Sequence, residues 1–291
     1  MPTKLALLGM RCEFSRIVFE TVLAAGVNVA ALIIPSLDRA TRWREPEPFP
    51  LLPLDVVTLA HALKVPVLEV GVLRSAEALA ALEALAPEVL CAACFPKLLP
   101  GDWRQRPRLG ALNLHPSLLP AYRGPEPLFW QLRNGEARTG VTLHLMDEAA
   151  DTGDIVAQVE APFADGITYA EAERLTARAG AQLLFEVLGR DALPRRPQPA
   201  EGVSSAPFPT AADRVLDTRW PARRAFNFVR GAEPWAPFEL QVDGLRLQIV
   251  RALSCELERR LPAAFRCERD IVAVQFADGV VHFKTNGGEA G

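Results

Sequence analysis

Over its first 190 residues the chain exchanges two hydrophobic periods in turn, and that exchange leaves few folds open. KLALLG (4–9) is a short apolar run closed by Gly9, and RIVFETVLAAG (16–26) has helical spacing and stops at Gly26. NVAALIIP (28–35) is a β-branched run closed by Pro35. A strand, a helix and a second strand in that order imply parallel pairing through a right-handed crossover. The exchange continues with a helix over 55–65, a strand over 66–71 and a helix over 75–86 capped by Ser75. A buried strand follows over 88–94, another over 110–117, and a helix over 127–136 that stops at Asn134-Gly135. Strands over 139–146 and 155–163 precede a long helix over 168–189, capped by Thr168. The expectation is a doubly wound α/β domain with a parallel-rich sheet.

Beyond residue 190 the pattern changes. Residues 190–209 are rich in Pro, Ser and Gly and read as a linker. One short helix, PARRAFNFVRG (221–231), is followed by strand-like runs over 237–244, 245–253, 269–276 and 279–285. The expected division is therefore 1–189, a linker at 190–209, and a small C-terminal β-barrel or OB-like domain at 210–291. The tail NGGEAG is expected to fray.

Composition removes several function classes. A net charge of −3 spread over 291 residues calls for no nucleic acid in bulk. No apolar run approaches the about 20 residues of a membrane-spanning helix. The N-terminus reads as a first strand rather than a signal peptide, so a cytoplasmic protein is expected. Five scattered cysteines give no disulfide framework. Cys91 and Cys94 form a C-x-x-C, but it falls in a buried strand and no second pair completes a zinc site, so no metal is expected. The first strand-to-helix turn lacks G-x-G-x-x-G, and the chain has no P-loop, nucleophile elbow or H-E-x-x-H.

What is left is a set of polar groups near strand ends. Asn113 and His115 stand two apart in LNLHPSLLPAYRGPEPLFW (112–130), so on a strand they share a face. Asp151 follows the strand at 139–146, in a Gly-containing turn. An amide can donate to a developing oxyanion, an imidazole can shuttle a proton, and a carboxylate can tune the imidazole. This set suits addition to a carbonyl by an external nucleophile. Ser117 is the nearest candidate for a covalent role, although Ser in such a turn commonly bonds its own backbone. His61, His144 and His282 read as structural.

NLHPSLLPAYRG (113–124), followed by TGVTLHLMDEAADTGDIVAQ (139–158), resembles the folate-dependent formyltransferase family. The resemblance covers most of residues 1–190. It implies a Rossmann-like domain that takes a formyl group from 10-formyltetrahydrofolate without a metal, with Asn113, His115 and Asp151 as the catalytic trio. In that scheme Asn113 and a protonated His115 hold the oxyanion. The folate is expected along CAACFPKLLP (91–100), on Cys94, Phe95, Pro96 and Leu98, with Asp147 from the acidic turn. Within the family the chain resembles the branch whose acceptor is initiator methionyl-tRNA, which carries a C-terminal OB-like domain. The segment 222–240 is similar to the opening of that domain, and the proline-rich loop at 36–50 stands where the branch approaches its tRNA. The acceptor side would then use Arg42, Ser117, Arg123 and Gly124; Arg123 is equally readable as a surface residue on a carboxylate. A monomer is expected. The 210–291 region holds 12 Lys+Arg against 11 Asp+Glu, which keeps a small amine acceptor, such as an amino sugar or hydroxylated amino acid, open beside the tRNA. A hydrolase that releases formate from the same folate is a further alternative.

Overall fold

The computed structural model describes residues 3–44, 55–190 and 192–286. In chain order the elements are β1 (Lys4–Leu8), α1 (Glu13–Ala24), β2 (Asn28–Pro35), β3 (Thr41–Trp43), α2 (Val56–Ala62), β4 (Val67–Val70) and α3 (Ala76–Leu85). Then come β5 (Val89–Ala92), α4 (Gly101–Gln105), β6 (Ala111–His115), α5 (Pro127–Asn134), β7 (Arg138–Leu145), β8 (Ile155–Pro162) and α6 (Tyr169–Leu188). The rest are β9 (Val215–Leu216), α7 (Ala222–Gly231), β10 (Phe238–Val242), β11 (Leu245–Leu257), β12 (Phe265–Glu268), β13 (Ile271–Gln275) and β14 (Gly279–Thr285).

The chain divides into two compact units that are not contiguous in sequence. The first comprises Met1–Arg123, Thr139–Ala161 and Glu173–Ser205; the second comprises Gly124–Arg138, Pro162–Ala172 and Ala206–Gly291. This differs from a single cut at 190–209. Most of the segment read as a linker clusters with the first unit, and α5 clusters with the second. The reason for the second difference is packing. Phe129 of α5 lies 5.4 Å from Phe228 and 5.3 Å from Trp235, centroid to centroid. Gly231 of α7 permits this closeness, since a Cβ there would stand 2.8 Å from the Leu132 side chain.

The first unit is an α/β fold of Rossmann type, whose eight strands run in the order β3-β4-β2-β1-β5-β6-β7-β8. β4, β2, β1, β5 and β6 are parallel, while β3 and β7 pair antiparallel with their neighbours. Alternation along the strands sends residues to two opposite cores. Leu5, Leu7, Val89, Cys91, Leu112 and Leu114 join the core that α1, α2 and α6 cover. Ala6, Leu8, Leu90, Ala92 and Ala111 join the core of α3 and α4. The helix starts are set by caps. Asp55 accepts from the Val57 and Thr58 amides, and Ser75 accepts from Ala78. Thr168 and Glu171 exchange bonds as a capping box.

Three local expectations change. The proline-rich loop at 36–50 contains an edge strand, β3, where described; residues 45–54 lie outside the described residues. The short helix α4 carries no clear period but buries Trp103, whose Nε1 donates to Leu73 O at 2.7 Å. β5 ends at Ala92, so Cys94 is not in a strand. The C-terminal residues 287–291 lie outside the described residues. No helix among the described residues is long and apolar enough to cross a membrane.

In the second unit six strands run in the order β12-β13-β14-β11-β10-β9. Phe228 of α7, Phe238 and Phe283 are fully buried against this sheet. Among the described residues no pairing joins the edge strands β12 and β9, so the expected barrel is seen as an open sheet.

Candidate active site

β6 carries Ala111, Asn113 and His115 on one face, as the two-residue period requires. β7 runs antiparallel beside it and sets His144 opposite Asn113. The turn after β7 then folds back over β6 and delivers Asp151. Asp151 has φ 56°, a left-handed conformation that Asp, with its short polar side chain, adopts more readily than most non-glycine residues. Its backbone is held from outside the turn, because Gln198 Nε2 donates to Asp151 O at 2.9 Å and to Gly153 O at 2.8 Å. Gly153 packs so closely that a Cβ would meet Leu145 O at 1.9 Å.

The polar groups have defined roles. His115 Nε2 lies 2.8 Å from Tyr122 O, and a carbonyl only accepts, so Nε2 carries the proton. His115 Nδ1 is then the basic position, 3.5 Å from Asp151 Oδ2. His144 Nδ1 lies 2.8 Å from Leu145 O by the same logic, which leaves its Nε2 to accept from Asn113 Nδ2 at 3.2 Å. Asn113 Nδ2 donates its second hydrogen to Asp151 Oδ1 at 3.1 Å. The reverse amide orientation would set Asn113 Oδ1 against the carboxylate. His144 Nε2 is also 3.4 Å from Asp151 Oδ1.

Burial pushes the His115 imidazole below its ordinary pKa; the Asp151 carboxylate and the Tyr122 carbonyl oppose this, while nearby His144 adds to it. Burial thus favours the neutral ring at rest, and the imidazolium expected from the sequence belongs to the oxyanion stage. His144, read as structural, belongs to the site. Its only signal was its register opposite Asn113, which depends on knowing that β6 and β7 are neighbours. Gln198 gave no signal, since it stands in the segment read as a linker.

The remaining expected residues divide. Leu98 lines a cavity of about 630 Å³ at the carboxyl ends of the parallel strands, with Val72, Leu73, Leu99, Arg104 and Glu148. Phe95 is half-buried and packs on the α3–α4 core. Cys94 and Pro96 are exposed. Asp147 accepts from Thr152 Oγ1 at 2.7 Å and from the Ala149 amide at 3.2 Å, so it braces the turn. Ser117 is fully buried and donates to Ala121 O at 2.7 Å, the local backbone bond that its turn favours. Arg123 donates to Gln198 Oε1 at 2.6 Å through Nη2, and so supports the residue that holds Asp151. Gly124 has φ 125°, and a Cβ there would approach Ala206 O to 2.7 Å, so the position serves the backbone. Arg42 pairs with Asp38 at 2.9 Å and with Glu69 at 2.8 Å on β3, at the far edge of the sheet from β6. No group of three or more His, Cys, Asp or Glu side chains that could hold a metal occurs among the described residues.

The chain matches the model of the formyl transferase family, described as "Formyl transferase", over residues 51–188. It is 34% identical to the methionyl-tRNA formyltransferase of Pelotomaculum thermopropionicum over 82% of this chain and 75% of that protein. It is also 34% identical to the methionyl-tRNA formyltransferase of Aromatoleum aromaticum over 96% of this chain and 85% of that protein. An N-formyltransferase from Helicobacter canadensis, solved with folinic acid and dTDP-3-aminofucose, aligns with a TM-score of 0.63 at 14% identity. That alignment covers 98% of this chain and 99% of the solved one, and at such identity it speaks for the fold alone. The chain belongs to the formyl transferase family. Within it, the relatives that it resembles over most of their length are methionyl-tRNA formyltransferases.

Proposed function

We infer that the chain transfers the formyl group of 10-formyltetrahydrofolate to a primary amine, that of initiator methionyl-tRNA. The observation that carries this reading is the Asn113–His115–Asp151 constellation, in which two carbonyls fix which imidazole nitrogens are basic. Identity to methionyl-tRNA formyltransferases supports the choice of acceptor.

The cavity beside Leu98 supports a folate site next to the constellation, whose three residues do not line it. It has apolar walls from Val72, Leu73, Leu98 and Leu99, with Arg104 and Glu148 at hand. A volume of about 630 Å³ falls within the usual range for small-molecule sites, about 300–1,000 Å³. When bound, the folate supplies the formyl carbon. His115 Nδ1 takes the proton of the attacking amine, and the Asp151 carboxylate stabilises the imidazolium, which returns the proton to N10 as the formyl C–N10 bond breaks and tetrahydrofolate leaves. Asn113 Nδ2 turns a hydrogen from Asp151 or His144 toward the oxygen on which negative charge develops. Gln198 and Arg123 keep Asp151 in place. The second unit, as an OB-like module, would take the tRNA.

A small amine acceptor is the second reading, favoured by the near balance of 12 Lys+Arg and 11 Asp+Glu over 210–291. Formyl transfer to charged initiator tRNA and to amino sugars, measured in parallel across a salt series, separates the two. Steeply salt-dependent transfer to tRNA supports the first reading. Turnover on a sugar amine alone overturns it, and formate release without either acceptor marks a hydrolase.

A further inference from the structure

The C-x-x-C at Cys91 and Cys94 does not pair with itself. Cys91 is fully buried in β5, and burial pushes its thiol far up. Cys94 lies two residues past the end of β5, is exposed, and has φ 67°. A side-chain interaction with Cys94 lowers the pKa of Cys12, the N-cap of α1. The sheet explains this meeting. β1 and β5 are parallel neighbours with Leu8 opposite Ala92, and the Ala93 amide donates to Leu8 O at 2.8 Å. Ser15 then ties the two ends together. Its hydroxyl donates to Ala93 O at 2.6 Å and lies 3.3 Å from Cys12 Sγ. The chain leaves β1 toward β2 on one side and leaves β5 toward β6 on the other. The two thiols therefore straddle the point where strand order reverses, the crevice in which open α/β sheets take their ligands.

We propose that Cys12 and Cys94 are a redox modification site, closed to a reversible disulfide by a peroxide. The Cys12 thiolate attacks one peroxide oxygen, the O–O bond breaks, and the hydroxide that leaves takes a proton to become water. Cys12 is then a sulfenic acid. Cys94 sulfur attacks the Cys12 sulfur, the S–O bond breaks, and the departing hydroxide takes the Cys94 proton as a second water. Two thiols and one hydrogen peroxide give one disulfide and two waters, and a dithiol reductant reverses the step by exchange.

Cys12 is suited to attack first. The Cys94 interaction brings its pKa down to about 6, against the opposing effect of burial. The Ser15 hydroxyl and amide lower it further, and the Glu173 carboxylate on α6 raises it. A helix N-terminus favours a thiolate in the same sense. Cys94 lies within the segment 91–100, along which the folate is expected. A disulfide would tie that segment to α1 and weaken donor binding, an effect that rests on the folate reading, whereas the disulfide itself does not.

The test uses the full chain, treated with hydrogen peroxide and examined by intact mass and non-reducing peptide mapping. The expected result is a loss of two hydrogens, one cross-link joining the Cys12 and Cys94 peptides, and full reversal by dithiothreitol. Cys12→Ser and Cys94→Ser should each abolish the link; the map of the unaltered chain stands without them. A link through Cys91, Cys255 or Cys267, a link between chains, or stable sulfinic acid at Cys12 with Cys94 free overturns the proposal. Equilibrium binding of 10-formyltetrahydrofolate should weaken about tenfold in the cross-linked protein. Unchanged binding in a cross-linked protein overturns the coupling to the platform. A reduced protein that binds no folate overturns the folate reading and leaves the cross-link result standing.

Discussion

Asn113 and His144 face each other across the β6–β7 register and share a hydrogen bond of 3.2 Å. His144 can only accept in that bond, because its other nitrogen donates to Leu145 O. The amide of Asn113 is thus oriented before any ligand arrives. His144→Phe removes the acceptor and lets the amide rotate. Turnover should fall about tenfold, the rate equivalent of about 1.4 kcal/mol, with little change in the KM for the folate. His144→Gln restores an acceptor and should recover part of the loss. Steady-state kinetics on the three proteins would decide, and equal turnover in all of them would remove His144 from the site.

In the proposed mechanism, Asn113→Ala takes away the donor to the developing oxyanion. A loss of about 10²–10³ in turnover is expected, with folate binding retained. His115→Ala should lose about 10²–10⁴, the usual worth of a positioned general base. Single-turnover rates read this directly, and near-normal rates in either variant would contradict the assigned roles.

The neutral state of His115 has a consequence for stability. Burial lowers its pKa in the fold, while in the unfolded chain it titrates near the ordinary value of about 6.5. Below that value the unfolded chain binds more protons than the native one. Stability from this group is complete above about pH 6.5 and is lost as the pH falls through the lowered native value. The unfolding temperature should therefore decline as the pH falls below the ordinary histidine value, and His115→Gln should flatten part of that decline. The same sign applies to activity. Formyl transfer should persist below the ordinary histidine value, because Nδ1 stays unprotonated there.

Gly153→Ala tests the turn that carries Asp151. The added methyl would sit 1.9 Å from Leu145 O, a backbone atom that cannot rotate away. The turn must move, and Asp151 with it. A displacement of about 1 Å at a catalytic group costs about 10²-fold, so kcat/KM should fall by that order while the far-ultraviolet circular dichroism stays native.

Much of the first unit was legible because its signals are local. β-branched runs, helical periods and the caps Ser75 and Thr168 act over a few residues, and the observed elements fall where those signals stand. Asn113 and His115 were legible for the same reason, as an i, i+2 pair on one strand. What was not legible depends on distant partners. The role of His144 follows from an antiparallel neighbour, and that of Gln198 from a chain segment 47 residues after Asp151. The neutral charge of His115 follows from burial beneath a turn that sequence cannot place. Cys94 was misplaced because β5 ends two residues earlier than its apolar run. α5 was assigned to the first unit by order along the chain, whereas the aromatic packing of Phe129 assigns it to the second.

Gln198 also bears on how such a chain can be recombined. A chimera joined near residue 190 would keep every member of the Asn113–His115–Asp151 constellation, yet would replace the side chain that grips Asp151 and Gly153. Arg123 would lose its partner in the same exchange. The joint that preserves the chemistry lies after Ser205, where the contact boundary also falls. In modular terms, the stretch most easily mistaken for spacer is part of the first unit and braces the proposed site.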